Sequence, residues 1–177
     1  ATSEWQHFFV AHFGSDYLQH QSQEEMWAKM MDVPNEEIRT IRRQLKSRLL
    51  RQIRGIITQV HGQIGLSPQL ATKMVSELRE DALYIGFSRR FATYKRAHLL
   101  FEDLDALAAI VCNESAPVRF IFAGKAHPAD GGGQALIKRI VEVSRMPQFV
   151  GKIIFLPDYD IELAKTLIPG VDVWLNN

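Results

Sequence analysis

The sequence is poor in the features that assign a chain quickly to a class. It has one cysteine, so an internal disulfide cannot form and a disulfide-stabilised scaffold is excluded. Its formal net charge is +1, so overall charge does not point to a nucleic-acid or acidic partner. It has no apolar run long enough to span a bilayer and no recognisable signal peptide. We therefore expect a cytoplasmic protein without membrane contact.

Motifs for common cofactors and metals are also missing. No G-x-G-x-x-G follows the first predicted strand and no P-loop pattern occurs, which disfavours an ordinary dinucleotide or nucleoside-triphosphate site. The six histidines show no paired ligand spacing, so we predict no metal site. The lone Cys112 follows an apolar helical run, and we expect it to be a small core residue rather than a nucleophile.

The first 80 residues carry helical signals, within a length that suggests one domain or two at most. A long helix is predicted from Asn35, because apolar residues recur in steps of three and four. These are Ile38, Ile41, Leu45, Leu49, Ile53, Ile56 and Val60. Ser67 and Pro68 are a good N-cap and first-turn pair for a shorter helix. We assign residues 1–80 to a helical entry region.

The long helix is strongly basic. Its cations are Arg39, Arg42, Arg43, Lys46, Arg48, Arg51 and Arg54. This pattern is compatible with a nucleic-acid face, with a solvated face, or with a face that docks on another part of a larger protein. Acidic residues elsewhere bring the net charge almost to zero, which favours the second and third interpretations. We predict no nucleic-acid partner.

After residue 80 short apolar segments alternate with helical ones. Strands are predicted at 82–87, 117–123, 152–156 and 170–175, and helices at 94–111, 133–145 and 160–167. Residues 131–133, three glycines, are predicted to form a turn or loop. The alternation predicts βαβ units with right-handed crossovers, that is, an α/β fold with a parallel sheet.

The loop after the first predicted strand is basic. It contains Arg89, Arg90, Lys95 and Arg96, and a helix is expected to start at once. In open parallel sheets ligands bind at the carboxyl ends of the strands. Guanidinium groups, an ammonium group and a helix N-terminus together favour a phosphate site. The alternative is that these cations are ordinary surface charges.

The next two loops allow two interpretations each. Lys125, His127 and Asp130 suggest either a His–Asp general base or hydrogen bonds that anchor the loop. In the third loop Tyr159 suits stacking or hydrogen bonding to a ring. The Asp158 and Asp160 carboxylates could bind sugar hydroxyls, or one of them could be the N-cap of the helix that follows.

Read together, these loops resemble the α-glucan phosphorylases (glycogen, starch and maltodextrin phosphorylases). The resemblance rests on residues 85–96 (IGFSRRFATYKR), 120–130 (FIFAGKAHPAD) and 152–177 (KIIFLPDYDIELAKTLIPGVDVWLNN), in the family's order and spacing. Residues 3–9 (SEWQHFF), residues 24–38 (EEMWAKMMDVPNEEI) and the basic helix are similar to the stretch that leads into the family's C-terminal domain.

The resemblance implies a glycosyltransferase of the GT-B type, with two Rossmann-like domains and an active site between them. Such enzymes release glucose 1-phosphate from α-1,4-glucan with inorganic phosphate, and their cofactor is pyridoxal phosphate. By resemblance Arg90 and Lys95 are catalytic residues that hold the substrate phosphate. Arg89, Tyr159 and Asp160 match cofactor-binding positions, whereas no role is transferred to Lys125 or His127.

Residues 91–93 and Asp160 differ from the animal and plant enzymes and resemble the bacterial and archaeal branch. In the family the cofactor lysine would follow Asn177, and the N-terminal glucan-binding domain would precede Ala1. The resemblance therefore implies that 81–177 is the first half of the C-terminal Rossmann-like domain, truncated and inactive by itself. The unfinished sheet would expose an edge strand near 170–175, which favours a homo-oligomer.

The same residues are compatible with two other functions. A different GT-B glycosyltransferase with a nucleotide-sugar donor would use the same basic loop for a diphosphate. A non-catalytic phosphosugar-binding or interaction module would use it for binding alone.

Overall fold

The computed structural model describes residues 2–63 and 65–176. Its packing divides the chain into two compact units, one up to Leu45 and one from Lys46 onwards. The predicted change at residue 80 appears as a change in secondary structure, because no strand precedes Leu83 in the described residues. Its status as a domain boundary stays a prediction. None of the helices in the described ranges is long and apolar enough to cross a membrane.

The first unit is helical. It contains α1 (Ser3–Phe13), α2 (Glu24–Ala28) and the beginning of α3 (Asn35–Val60). The Thr2 side chain accepts a hydrogen bond from the Trp5 N–H and so caps α1. Phe13, Tyr17 and Met26 form a small core.

The second unit is an α/β sandwich, as predicted. Its strands are β1 (Leu83–Ser88), β2 (Val118–Ala123), β3 (Ile153–Leu156) and β4 (Val173–Trp174). Its further helices are α4 (Pro68–Ser76), α5 (Leu104–Val111), α6 (Gly131–Ser144) and α7 (Ile161–Gly170). All pairings are parallel, and the strand order is β3-β2-β1-β4.

The strand order places a switch point between β1 and β4. The chain moves outward from β1 to β3 and then returns across the sheet to β4. Right-handed crossovers therefore put α5 and α6 on one face of the sheet and α7 on the other. One face packs Phe87, Phe120, Phe122 and Ile153 against Leu107, Val111, Ile140 and Val143. The opposite face packs Tyr84, Ile121 and Ile154 against Leu49, Ile53, Leu163 and Leu167.

The helix predicted over 94–111 is not continuous. The chain forms 3₁₀ turns at Thr93–Lys95 and Ala97–Phe101, and α5 starts only at Leu104. Arg96 has a φ of 49°, a left-handed conformation that interrupts an α-helix. Asp103 then starts α5 as its N-cap, because its side chain accepts a hydrogen bond from the Ala106 N–H at 2.8 Å. The predicted α-helix N-terminus at the basic loop is therefore wrong.

Two further expectations are wrong. The glycines at 131–133 form the first turn of α6, because the Asp130 side chain caps that helix. Cys112 is exposed rather than buried. Helix α5 ends at Val111, and the Val111 side chain, not that of Cys112, lies in the core. The Cys112 thiol donates to the Gln148 carbonyl and lies 3.6 Å from the Lys152 amine.

Within the second unit, two cations of α3 contact the segment before β1. Lys46 donates to the Ala82 carbonyl at 2.9 Å, and Arg54 donates to the Leu78 carbonyl at 2.9 Å. These hydrogen bonds satisfy backbone carbonyls before β1 and so support the docking interpretation for that part of the helix. The absence of a nucleic-acid partner stays a prediction.

Candidate phosphate site

The three loops selected from the sequence start at the same edge of the sheet. Ser88, the last residue of β1, is in register with Ala123 of β2, and Ala123 is in register with Leu156 of β3. Parallel strands end together, so their following loops lie side by side. The first two loops also join directly, because the Phe91 N–H donates to the Lys125 carbonyl at 2.9 Å.

The first loop presents its cations at different depths. Arg90 is exposed, whereas Arg89 and Lys95 are half-buried. The Lys95 amine lies 5.7 Å from the centre of the Tyr94 ring, a cation–π contact. Within residues 2–63 and 65–176 no acid forms an ion pair with Arg90 or Lys95. Both groups are therefore available to an external anion.

A pocket of about 380 Å³ brings the three loops together. It is lined by Arg90 from the first loop, by Gly124, Lys125, Ala126, His127 and Pro128 from the second, and by Tyr159 from the third. The structure thus places Arg90 and Tyr159 at one cavity. It does not place Arg89, Lys95 or Asp160 in the lining of that cavity.

The second loop is held by its own hydrogen bonds. The Nδ1 atom of His127 accepts from the Ala129 N–H at 3.1 Å, so the neutral ring carries its proton on Nε2. The Asp130 carboxylate accepts from the Gly133 N–H at 2.9 Å. Since these contacts fix each side chain to the backbone, the anchoring interpretation applies and the described loop has no His127–Asp130 side-chain pair.

The third loop contains a helix cap. The Asp160 Oδ1 atom accepts a hydrogen bond from the Leu163 N–H at 2.8 Å, so Asp160 is the N-cap of α7. Asp158 has a φ of 53°. Arg96 and Asp158 are the non-glycine residues with positive φ in the described chain, and both lie in loops at this edge. Such backbone strain is concentrated at functional sites.

Sequence reasoning missed Ser88. Its side chain is buried at the end of β1, and its Oγ atom has no hydrogen-bond partner among the described residues. A buried hydroxyl without a partner is costly unless a ligand or water satisfies it. The available signal was its position, directly between a predicted strand and Arg89.

A family model described as "Carbohydrate phosphorylase" matches residues 13–175. The chain belongs to the carbohydrate phosphorylase family. This confirms the resemblance inferred from the loop sequences. The chain is 41% identical over 154 residues to a maltodextrin phosphorylase of Thermococcus litoralis, an alignment that covers 87% of the chain.

Two further relatives are glycogen phosphorylases. The protein of Aquifex aeolicus is 35% identical across 99% of the chain, and that of Mycobacterium tuberculosis is 37% identical across 93%. These matches are bacterial and archaeal, as the departures from the animal and plant motif indicated. The chain spans 18% of the length of the Thermococcus relative, 25% of the Aquifex relative and 19% of the Mycobacterium relative.

Proposed function

We propose that this chain forms part of the catalytic machinery of an α-glucan phosphorylase, which releases glucose 1-phosphate from α-1,4-glucan with inorganic phosphate. The single observation that carries the proposal is Arg90, which lines a pocket at the carboxyl edge of a parallel sheet and has no acidic partner in the described chain. The family membership supports the same activity.

Arg90 and Lys95 are proposed to hold the attacking phosphate. The guanidinium group of Arg90 offers a planar fork to two phosphate oxygens, whereas the Lys95 amine is a compact charge. Two phosphates close to each other repel strongly, so the reaction needs fixed cations at the point where they meet. The buried Phe91 side chain and its N–H bond to the Lys125 carbonyl hold the backbone beside Arg90, which reduces the cost of ordering that segment.

The edge of the sheet also fits the phosphate end of pyridoxal phosphate. The Ser88 Oγ atom lacks a partner among the described groups, and the neighbouring Arg89 supplies positive charge. Tyr159 lines the pocket and would contact the cofactor ring. Asp160 caps α7 and is an anion. Because it would repel the cofactor phosphate, it would contact another part of the cofactor. When bound, the cofactor supplies a phosphate group that relays a proton.

The remaining expectations are proposals about the complete enzyme. If the resemblance holds along the whole enzyme, the cofactor lysine and the glucan-binding domain would lie outside residues 1–177, and these residues alone should be inactive. The complete enzyme is proposed to be cytoplasmic. In residues 1–177 alone, the short β4 leaves a sheet edge through which a second copy would pair.

The test is phosphorolysis by the complete enzyme with Arg90→Ala or Lys95→Ala. Each variant removes a charge from the attacking phosphate, so we expect kcat/KM for phosphate to fall about 100- to 1,000-fold. Release of glucose 1-phosphate measures the rate, and circular dichroism checks the fold. Arg51→Ala and Lys138→Ala are matched controls, because both are exposed cations on helices and neither lines the pocket.

Near-normal rates in both site variants would overturn the assigned roles. The rival glycosyltransferase is distinguished by its donor. If the complete enzyme used a nucleotide sugar, and a nucleoside diphosphate inhibited it whereas phosphate was not consumed, the phosphorylase proposal would fail.

A further inference from the structure

Two glycines lie against the backbone on either side of Arg90. A Cβ atom on Gly124 would lie 2.2 Å from the carbonyl oxygen of Arg89. A Cβ atom on Gly133 would lie 2.5 Å from the carbonyl oxygen of Phe91. Both distances are far inside van der Waals contact, and both partner atoms are backbone atoms. A side chain at either position would therefore displace the segment that carries Arg90.

This segment has little freedom to move away. The Phe91 side chain is 1% exposed, and its ring centre lies 5.7 Å from that of Phe87 and 6.1 Å from that of Phe155. The Phe91 N–H also donates to the Lys125 carbonyl. Close-packed interiors transmit a displacement rather than absorb it.

The two glycines themselves are also fixed. Gly133 lies in the first turn of α6, where its N–H donates to the Asp130 cap. Gly124 has a φ of 147°, a conformation that L side chains rarely adopt, and its added Cβ atom would also meet the Phe91 ring at 3.0 Å. The first loop therefore rests on the start of α6 and on the end of β2 at defined distances.

We propose that Gly124 and Gly133 are positioning residues for phosphate. They allow the second loop and α6 to hold the backbone on both sides of Arg90, and so set where the Arg90 guanidinium meets the phosphate. This inference rests on the proposed function of Arg90. Neither glycine needs to touch phosphate, because an error of about 1 Å in a positioned group can cost about 100-fold in rate.

The experiment is a comparison of Gly133→Ala with Gly131→Ala in the complete enzyme. A Cβ atom on Gly131 meets nothing within 4 Å, so Gly131→Ala adds the same methyl group to the same helical turn without a clash. For Gly133→Ala we expect KM for phosphate to rise about tenfold while KM for glucan changes by less than about twofold. For Gly131→Ala we expect both constants to stay unchanged.

The outcomes separate a positioning role from a general structural one. Equal phosphate KM values in the two alanine variants would overturn the inference. A uniform loss of activity with both KM values unchanged would also overturn it, since that result indicates only a smaller folded fraction. Normal phosphorolysis by Arg90→Ala would instead overturn the proposed function, whatever the glycine variants show.

A second variant keeps the test decisive if Gly133→Ala does not fold. Phe91→Leu loosens the same segment without a clash, because leucine keeps an apolar side chain but fills less of the space between Phe87 and Phe155. We expect Phe91→Leu to raise KM for phosphate severalfold and to leave KM for glucan nearly constant. An unchanged phosphate KM in this folded variant would overturn the inference.

Discussion

The guanidinium group of Arg119 donates a hydrogen bond from Nη2 to Glu77 Oε2 at 2.9 Å, at the end of the sheet opposite the candidate site. Arg119 is 1% exposed and also donates to the carbonyls of Glu77, Val111 and Val118. A buried charge is tolerated only when it is paired and fully hydrogen-bonded. Arg119 thus joins the segment after α4 and the end of α5 to β2.

Arg119→Ala should destabilise the protein without changing the candidate site. The variant leaves three carbonyls and one carboxylate without their donor, so we expect a loss of about 3–5 kcal/mol in the free energy of unfolding. Urea denaturation of the wild type and the variant measures this difference. Arg139→Ala on α6 is the control, and a loss below about 1 kcal/mol for Arg119→Ala would contradict the prediction.

Lys46 and Asp172 form a largely buried ion pair that holds the start of β4. The Lys46 amine lies 2.8 Å from Asp172 Oδ2, and the two side chains are 15% and 20% exposed. The same carboxylate oxygen accepts from the Tyr84 N–H at 2.9 Å. In a double-mutant cycle with Lys46→Met and Asp172→Asn, we expect a coupling of about 1–2 kcal/mol. Additive effects of the two substitutions on urea unfolding would show that the pair does not contribute.

Tyr84 should make the protein less stable in strong alkali. Burial raises the pKa of the Tyr84 phenol from 10.0 to about 12. Between these values the unfolded chain loses the proton while the folded chain keeps it, so stability is complete below pH 10 and falls as pH rises towards 12. The total loss is roughly 2–3 kcal/mol.

Unfolding free energies measured across that alkaline range would show this slope. Tyr84→Phe is the matched control, because it keeps the ring but removes the proton. A slope of equal size in the Tyr84→Phe variant would assign the effect to other groups.

Two substitutions of Asp160 distinguish its role as the N-cap of α7 from its predicted contact with the cofactor. Asp160→Ala removes the acceptor for the Leu163 N–H and should cost about 1 kcal/mol. Asp160→Asn keeps a good cap residue but removes the charge, so the unfolding free energy should stay near the wild-type value. Ser67→Ala, which removes the equivalent cap of α4, is the control for a cap alone.

If Asp160 contacts the cofactor, Asp160→Asn in the complete enzyme should lower pyridoxal phosphate affinity although stability is preserved. Fluorescence of the bound cofactor measures that affinity, and Ser67→Ala should leave it unchanged. Wild-type affinity in the Asp160→Asn variant would restrict Asp160 to its capping role.

The spacing of apolar residues was visible in the sequence, and it predicted the helices and strands that depend on it. The apolar stripe from Ile38 to Val60 predicted α3, and the short apolar runs after residue 80 predicted parallel strands. Ser67 was correctly identified as the cap of α4. These features are local, because they depend on residues a few positions apart.

Features that depend on contacts between distant segments were not predictable. Arg96 breaks the expected helix after the basic loop by adopting a left-handed conformation, a choice that no local propensity favours for arginine. The glycines at 131–133 suggested a loop, whereas the Asp130 cap makes them a helical turn. Cys112 was expected in the core but is exposed, because its orientation depends on where α5 ends.

The sequence by itself determined the chemistry at this edge of the sheet: the basic residues after β1, their resemblance to the phosphorylases, and the alternation that makes a parallel sheet. Only the tertiary structure decided which of those residues meet. It placed Arg90 and Tyr159 at one pocket, left the Ser88 hydroxyl without a partner in the described chain, and set Gly124 and Gly133 against the Arg90 backbone. The reason is physical. Residue types set charge and periodicity, whereas close approach requires that segments distant in the sequence pack together without space between them.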